Sequence, residues 1–271
     1  MPDFIPETPF DFSTIRAVAL DLDGVVWRGE IALPGTPSFF HALAKEGIPY
    51  LFLTNNAMRN PDDHAAKIAT FGIPVTPSQV INSGFVAAES LAKQYPIGTA
   101  IHVLGSENLS RLLTERGFVL NPAEAAVVVV GLDVQVTYEK LKIAGRCILN
   151  GAVFIGTNGD VTYPAADGVA PGAGSLIAAL SAMTGCAPLL MGKPAPAMFE
   201  IALQRLGTAP QETLMIGDRL DTDILGAAQV GMRTALVLSG ISTRAEAEAS
   251  QPPPDWIGDD LIAVGRAWGI G

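Results

Sequence analysis

The sequence predicts an α/β protein built on parallel sheet. Short, wholly apolar runs such as Ala17-Val18-Ala19-Leu20 alternate with longer segments of helical periodicity. Runs of that kind suit strands covered on both faces, the usual state of strands in a parallel sheet. The chain has 271 residues, 49% of them apolar and 16% charged. That is enough apolar material for one large core or two modest ones without disulfides or metals as staples.

Residues 17–20 give the first strand, which stops abruptly at Asp21-Leu22-Asp23-Gly24. Residues 36–45 read as a helix with Gly47 as its C-cap. Residues 49–53 are a second apolar strand, ending in Thr54-Asn55-Asn56, and residues 62–71 a second helix. A second strand-helix series follows, with strands at 100–104, 126–130 and 153–156 and helices at 107–116 and 138–149. Gly172-Ala173-Gly174 opens a further helix that runs to Thr184. The last third gives helices at 196–206, 223–230 and 261–268 and strands at 213–216 and 234–238.

The 17 Lys and Arg against 27 Asp and Glu leave a formal charge of −10. A general binder of nucleic acid or anionic membrane needs surplus cations, so neither partner is expected. Any anionic ligand must meet a locally built positive site. The segment before Ser13 carries Asp3, Glu7 and Asp11 and lacks the cationic start of a signal peptide, and no apolar stretch is long enough to span a bilayer. A soluble, cytoplasmic protein is expected. Cys147 and Cys186 read as apolar thiols rather than as a metal pair or disulfide scaffold. His41, His64 and His102 are scattered and give no histidine metal site or Ser-His-Asp triad.

Four polar clusters follow predicted strands or apolar runs, at the sheet edge where open parallel sheets bind ligands. In the first, Asp21 and Asp23 share one strand face, and two such carboxylates need a cation or a shared proton. In the second, Thr54, Asn55 and Asn56 offer a hydroxyl and backbone amides to an oxyanion. In the third, Gly192-Lys193-Pro194, a fixed cation opens a helix. The fourth, Gly217-Asp218-Arg219-Leu220-Asp221-Thr222-Asp223, places three carboxylates within six residues, a donor set suited to Mg²⁺. Each cluster alone also fits a polar turn. Together they form the kit for phosphoryl transfer through an aspartyl-phosphate. Gly172-Ala173-Gly174 lacks the rest of a dinucleotide-binding fingerprint.

Taken in order, Asp21-Leu22-Asp23-Gly24, Thr54, Lys193 and Gly217-Asp218…Asp223 resemble the signature of the haloacid dehalogenase superfamily across nearly the whole chain. Leu53-Thr54-Asn55-Asn56, Pro171-Gly172-Ala173-Gly174 and Gly192-Lys193-Pro194 are similar to its NagD-like subfamily, which includes 4-nitrophenyl-, phosphoglycolate and pyridoxal phosphatases. The resemblance implies a Rossmann-like α/β core with a parallel sheet, interrupted by an inserted α/β cap domain. Residues 1–78 and 188–271 would form the core and residues 79–187 the cap.

The same resemblance implies roles. Asp21 is the nucleophile and Asp23 the acid and then base. Mg²⁺ is held by Asp21, Asp218 and the Asp23 carbonyl. Thr54, Asn55, Asn56 and Lys193 stabilise the phosphoryl oxygens. Asp223 orients a metal water or Lys193, or ligates directly, with Asp221 further out. Trp27, in the flap after the first motif, either closes the site or packs as an ordinary aromatic. The expected partner is a small phosphorylated metabolite, and a homodimer through the cap is compatible with this architecture. A phosphomutase, a dehalogenase and a non-catalytic binding protein are the competing readings. Asp23 weighs against the dehalogenase, and intact Asp21, Asp23 and Lys193 weigh against the non-catalytic protein.

Overall fold

The four residues of the Ala17–Leu20 strand are all buried, as their uninterrupted apolar character requires. In the computed structural model, which describes residues 10–165 and 168–270, this strand lies inside a six-stranded sheet. The order is Trp256–Gly258, Arg233–Val237, Thr213–Gly217, Ala17–Leu20, Tyr50–Thr54 and Val80–Asn82. Ala17–Leu20 runs parallel to Thr213–Gly217 on one side and to Tyr50–Thr54 on the other. The chain therefore leaves its first strand toward one edge and later returns to build toward the other. The reversal falls between Ala17–Leu20 and Thr213–Gly217, and a crevice opens at the C-terminal ends of such strands.

The core beneath this sheet joins Leu20, Phe52, Ile216 and Val237 from the strands to Phe39, Phe40 and Leu43 of the Thr36–Lys45 helix. Phe40 packs on Tyr50 and Phe52 at ring distances of 4.9 and 5.2 Å. The helix C-cap is Glu46, one position before the expected Gly47, which follows with φ +67°.

A second parallel sheet has the order Leu189–Leu190, Val153–Gly156, Val127–Val130, Ala100–Leu104 and Val119–Leu120. Val128, Val130 and Phe154 form its core with Ala144 and Ile148 of the Tyr138–Leu149 helix and Ile177 and Leu180 of the Ala173–Thr184 helix. Ser83–Gln94 is a helix that the sequence spacing does not predict. Its start is fixed by Asn82, whose side chain accepts from the Phe85 amide at 2.7 Å.

Among the described residues the chain divides into two compact units. One takes Met1–Thr54, Asp62–Ile81 and Phe199–Gly271, and the other Asn55–Pro61 and Asn82–Met198. This division differs from the expected 79–187 insertion at both ends. The far end has a clear cause, because Leu189–Leu190 pairs in parallel with Val153–Gly156. Beyond it, the Met191 and Gly192 amides donate to the Gly156 and Thr157 carbonyls at 3.0 and 2.7 Å. The segment that carries Lys193 is thereby built onto the second sheet. Among the described residues no helix is long and apolar enough to cross a membrane.

Candidate active site

Asp21 is the first residue past the Ala17–Leu20 strand, and its amide donates to the Ile216 carbonyl of the adjacent strand at 2.9 Å. Asp218 is the first residue past Thr213–Gly217. The chain then makes a π-helical turn over Leu220–Ile224, and this widened turn carries Asp223. One carboxylate oxygen from each of Asp21, Asp218 and Asp223 lies within 4.8 Å of the others. The three residues are 8%, 1% and 0% exposed. Buried carboxylates this close repel strongly unless a cation sits among them. An all-oxygen donor set is suited to a hard divalent ion such as Mg²⁺ or Ca²⁺, so these residues fit the metal that the motif order implies.

The backbone around the cluster is shaped to admit it. Asp218 Oδ2 accepts from the Ile241 amide at 2.8 Å, and its carbonyl accepts from the Ser242 amide at 3.0 Å. Asp223 Oδ2 accepts from the Arg219 amide at 3.2 Å. Gly24 has φ +85°, and a Cβ there would stand 2.6 Å from Asp218 Oδ2. A Cβ on Gly240 would come within 1.9 Å of the same oxygen. The 239–242 loop is a part of the site that sequence reasoning missed. Its available signal was the Ser239-Gly240-Ile241-Ser242 run just past the predicted 234–238 strand. Ser239 also donates its hydroxyl to the Gly24 carbonyl at 2.7 Å, tying the loop to the first motif.

Asp21 and Asp23 diverge. Asp21 joins the buried cluster, whereas Asp23 is exposed and its Oδ1 accepts from Trp27 Nε1 at 2.7 Å. Trp27 is buried, at 2% exposure, so the structure settles its two sequence readings in favour of packing. The surrounding flap is present as an antiparallel hairpin of Trp27–Arg28 and Ile31–Ala32. Asp221 stands outside the carboxylate cluster. Its side chain is 68% exposed and held by Arg219 through Nη2 at 2.8 Å and Nε at 3.1 Å. That hydrogen bonding lowers the Asp221 carboxyl below its usual range. Thr54 ends the Tyr50–Thr54 strand and is buried.

The second unit holds Asn55 and Asn56 of the second motif together with Gly192-Lys193-Pro194. The Asn55 amide nitrogen donates to the Lys193 carbonyl at 3.0 Å and to Asp160 Oδ2 at 3.2 Å. The Asn55 carbonyl accepts from Ser83 Oγ at 2.7 Å and from Asn158 Nδ2 at 2.8 Å. Lys193 is itself buried. Gly192 allows this approach, since a Cβ there would stand 2.4 Å from Asn55 Oδ1 and 2.7 Å from the Thr157 carbonyl. Asn56 is exposed and closes an Asx turn by accepting from the Met58 amide at 3.0 Å. Asn158 and Asp160, which sequence alone cannot separate from turn residues, thus brace Asn55.

A carboxylate trio at the chain reversal of a parallel sheet describes a class of catalyst, and comparison with known proteins gives the family. A profile of haloacid dehalogenase-like hydrolases matches residues 18–119, and a HAD-hydrolase-like profile matches residues 190–264. The acid sugar phosphatase of Staphylococcus aureus is 38% identical, over 91% of this chain and 95% of that protein. The crystal structure of 4-nitrophenylphosphatase from Thermotoga maritima superposes with a TM-score of 0.89 at 30% identity, covering 94% of this chain and 98% of that one. NagD from E. coli K-12 superposes at 0.86 with 32% identity, covering 91% and 97%. The chain belongs to the haloacid dehalogenase-like hydrolases, in their NagD-like branch. It is an enzyme of the phosphoric monoester hydrolase class.

Proposed function

We propose that the enzyme is a Mg²⁺-dependent phosphatase of small phosphorylated metabolites, acting through an aspartyl-phosphate on Asp21. The observation that carries this reading is the buried Asp21, Asp218 and Asp223 trio at the sheet's switch point. Relatives named acid sugar phosphatase and 4-nitrophenylphosphatase support a small phosphomonoester, with 4-nitrophenyl phosphate as an artificial substrate. A cytoplasmic setting, with neither nucleic acid nor membrane as partner, belongs to the same proposal.

Asp21 attacks phosphorus and the leaving alcohol departs. Asp23 gives that alcohol its proton and then takes one from the water that hydrolyses the aspartyl-phosphate. Asp21, Asp218 and the Asp23 carbonyl would hold the metal, and Asp223 completes the buried acidic set. Thr54, the amides of Asn55 and Asn56, and Lys193 stabilise the phosphoryl oxygens. When bound, Mg²⁺ supplies the positive charge that makes a phosphate dianion tolerable beside these carboxylates.

Asp21→Asn tests the reading, because the amide is isosteric but a poor nucleophile. Turnover of 4-nitrophenyl phosphate should vanish while circular dichroism stays unchanged. Wild-type-like turnover, with the amide verified by mass spectrometry as intact, would refute the covalent mechanism.

A further inference from the structure

Among the described residues, Trp27 makes a directional side-chain contact to Asp23, the carboxylate assigned to proton transfer. Its Nε1–H donates to Asp23 Oδ1 at 2.7 Å. The indole is fixed from several sides. The Trp27 amide donates to the Leu22 carbonyl at 3.2 Å, and the Trp27 carbonyl accepts from the Gly24 amide at 2.7 Å. Trp27 pairs with Ala32 across the hairpin, and its ring lies 5.8 Å from that of Phe71. The Lys67 ammonium sits 4.5 Å from the ring centroid. Lys67 is anchored there by the Gly29 carbonyl at 2.7 Å and Glu30 Oε1 at 3.1 Å.

We propose that Trp27 is a positioning residue for proton transfer by Asp23, selecting which carboxylate oxygen carries the proton. The proposal rests on the reading of Asp23 as general acid and base. An exposed aspartate on a turn is free to rotate, and a hydrogen bond from a buried indole fixes one rotamer. The indole N–H can only donate. An oxygen that already accepts the indole N–H is the poorer site for a proton, so the bond to Oδ1 favours Oδ2 as the oxygen that carries the transferable one. In the first step the Asp23 Oδ2–H bond breaks and its proton passes to the leaving oxygen. The P–O bond to that oxygen breaks as the Asp21–phosphorus bond forms. In the second step Oδ2 takes a proton from water as the water oxygen bonds phosphorus and the bond to Asp21 breaks. Trp27 keeps its own proton throughout. The Lys67 cation over the ring face draws electron density from the indole and strengthens the N–H as a donor.

The test uses the full chain with Mg²⁺ and two esters of similar size, 4-nitrophenyl and 4-methoxyphenyl phosphate. The first leaves with little protonation and the second needs more. Trp27→Phe keeps an aromatic ring and removes the N–H. It should lower kcat/KM for the methoxy ester roughly tenfold more than for the nitro ester, the scale of a hydrogen bond to a charged group. In an Asp23→Asn background the same substitution should change either rate by less than about twofold, because its effect runs through Asp23. Equal losses on the two esters, or losses that multiply fully with Asp23→Asn, would overturn the positioning role.

Nuclear magnetic resonance of the indole N–H groups needs no change at Trp27. The chain has three tryptophans. Asp23→Asn should move one of the three resonances upfield as a charge-assisted bond becomes a neutral one, and three unmoved resonances would refute the contact. Asp23→Asn alone separates the two levels of the argument. If it spares the methoxy ester as well as the nitro ester, the general-acid reading fails. If it shows the leaving-group dependence and Trp27→Phe does not, only the role of Trp27 fails.

Discussion

Asp218 shows how much of a buried carboxylate's setting is fixed by neighbours with no side chain. Its Oδ2 accepts from the Ile241 amide, and the space beside that oxygen exists because residues 24 and 240 are glycines. Gly240 is not in the left-handed region, so alanine there meets no backbone penalty. It meets the carboxylate instead, at 1.9 Å from Oδ2. Gly240→Ala should therefore displace the Asp218 carboxylate while leaving the fold intact. Mg²⁺ activation should weaken by roughly 10–100-fold, the usual cost of disturbing a partner of a metal ligand. A magnesium titration of turnover checks this, and an unchanged activation constant would show that Asp218 tolerates the shift. Asp221 supplies the contrast, since an exposed pair with Arg219 contributes little.

At the scale of elements, the two-residue strand Leu189–Leu190 changes what the inserted segment does. The resemblance alone implies that removing residues 79–187 alters substrate selectivity more than chemistry. Among the described residues Leu189–Leu190 has a single neighbour in its sheet, Val153–Gly156, which that excision deletes. The Thr157 carbonyl that holds the Gly192 amide and the Asp160 carboxylate that holds Asn55 go with it. A chain closed over 79–187 should accordingly lose most of its turnover on every ester tested, even where circular dichroism shows a folded remainder. Retained turnover with only the substrate ranking changed would mean that Lys193 does not depend on the second sheet.

For the whole molecule, a net charge of −10 and three buried carboxylates with oxygens within 4.8 Å of one another predict a folded state that divalent ions stabilise. An ion that binds only the folded chain stabilises it by about 2.7 kcal/mol when present at 100 times its Kd. Mg²⁺ should raise Tm in a thermal melt, and Asp218→Asn should remove most of that rise. Ca²⁺ should also raise Tm yet inhibit turnover competitively with Mg²⁺. It accepts six to eight oxygens and readily takes a carboxylate through both. Asp21 bound that way has no oxygen left for phosphorus. Turnover supported equally by Ca²⁺ and Mg²⁺ would contradict the double use of Asp21 as ligand and nucleophile.

The sequence suffices for the elements whose cause is local and for the order of the motifs. The helices Thr36–Lys45, Tyr138–Leu149, Pro196–Leu206 and Leu261–Trp268 fall where apolar spacing and terminal residues put them. It did not predict Ser83–Gln94, whose start rests on the single cap Asn82 and whose buried face is made largely of Ser83, Gly84, Ala87 and Ala88. Small residues of that kind give a weak periodic signal. The resemblance already sets Asp223 closer to the metal than Asp221, and the π-helical turn supplies the physical reason, sending one outward to Arg219 and the other inward to Asp21 and Asp218. The 239–242 loop follows the same logic, because its contacts are with Asp218 and Gly24, groups brought near by the sheet. Hydrophobic pattern and chain chemistry act over a few residues and can be read in one dimension. The meeting of Asp21 with Asp218 depends on strands 196 positions apart choosing each other in parallel register, Ala17 beside Thr213, and tertiary packing alone makes that choice.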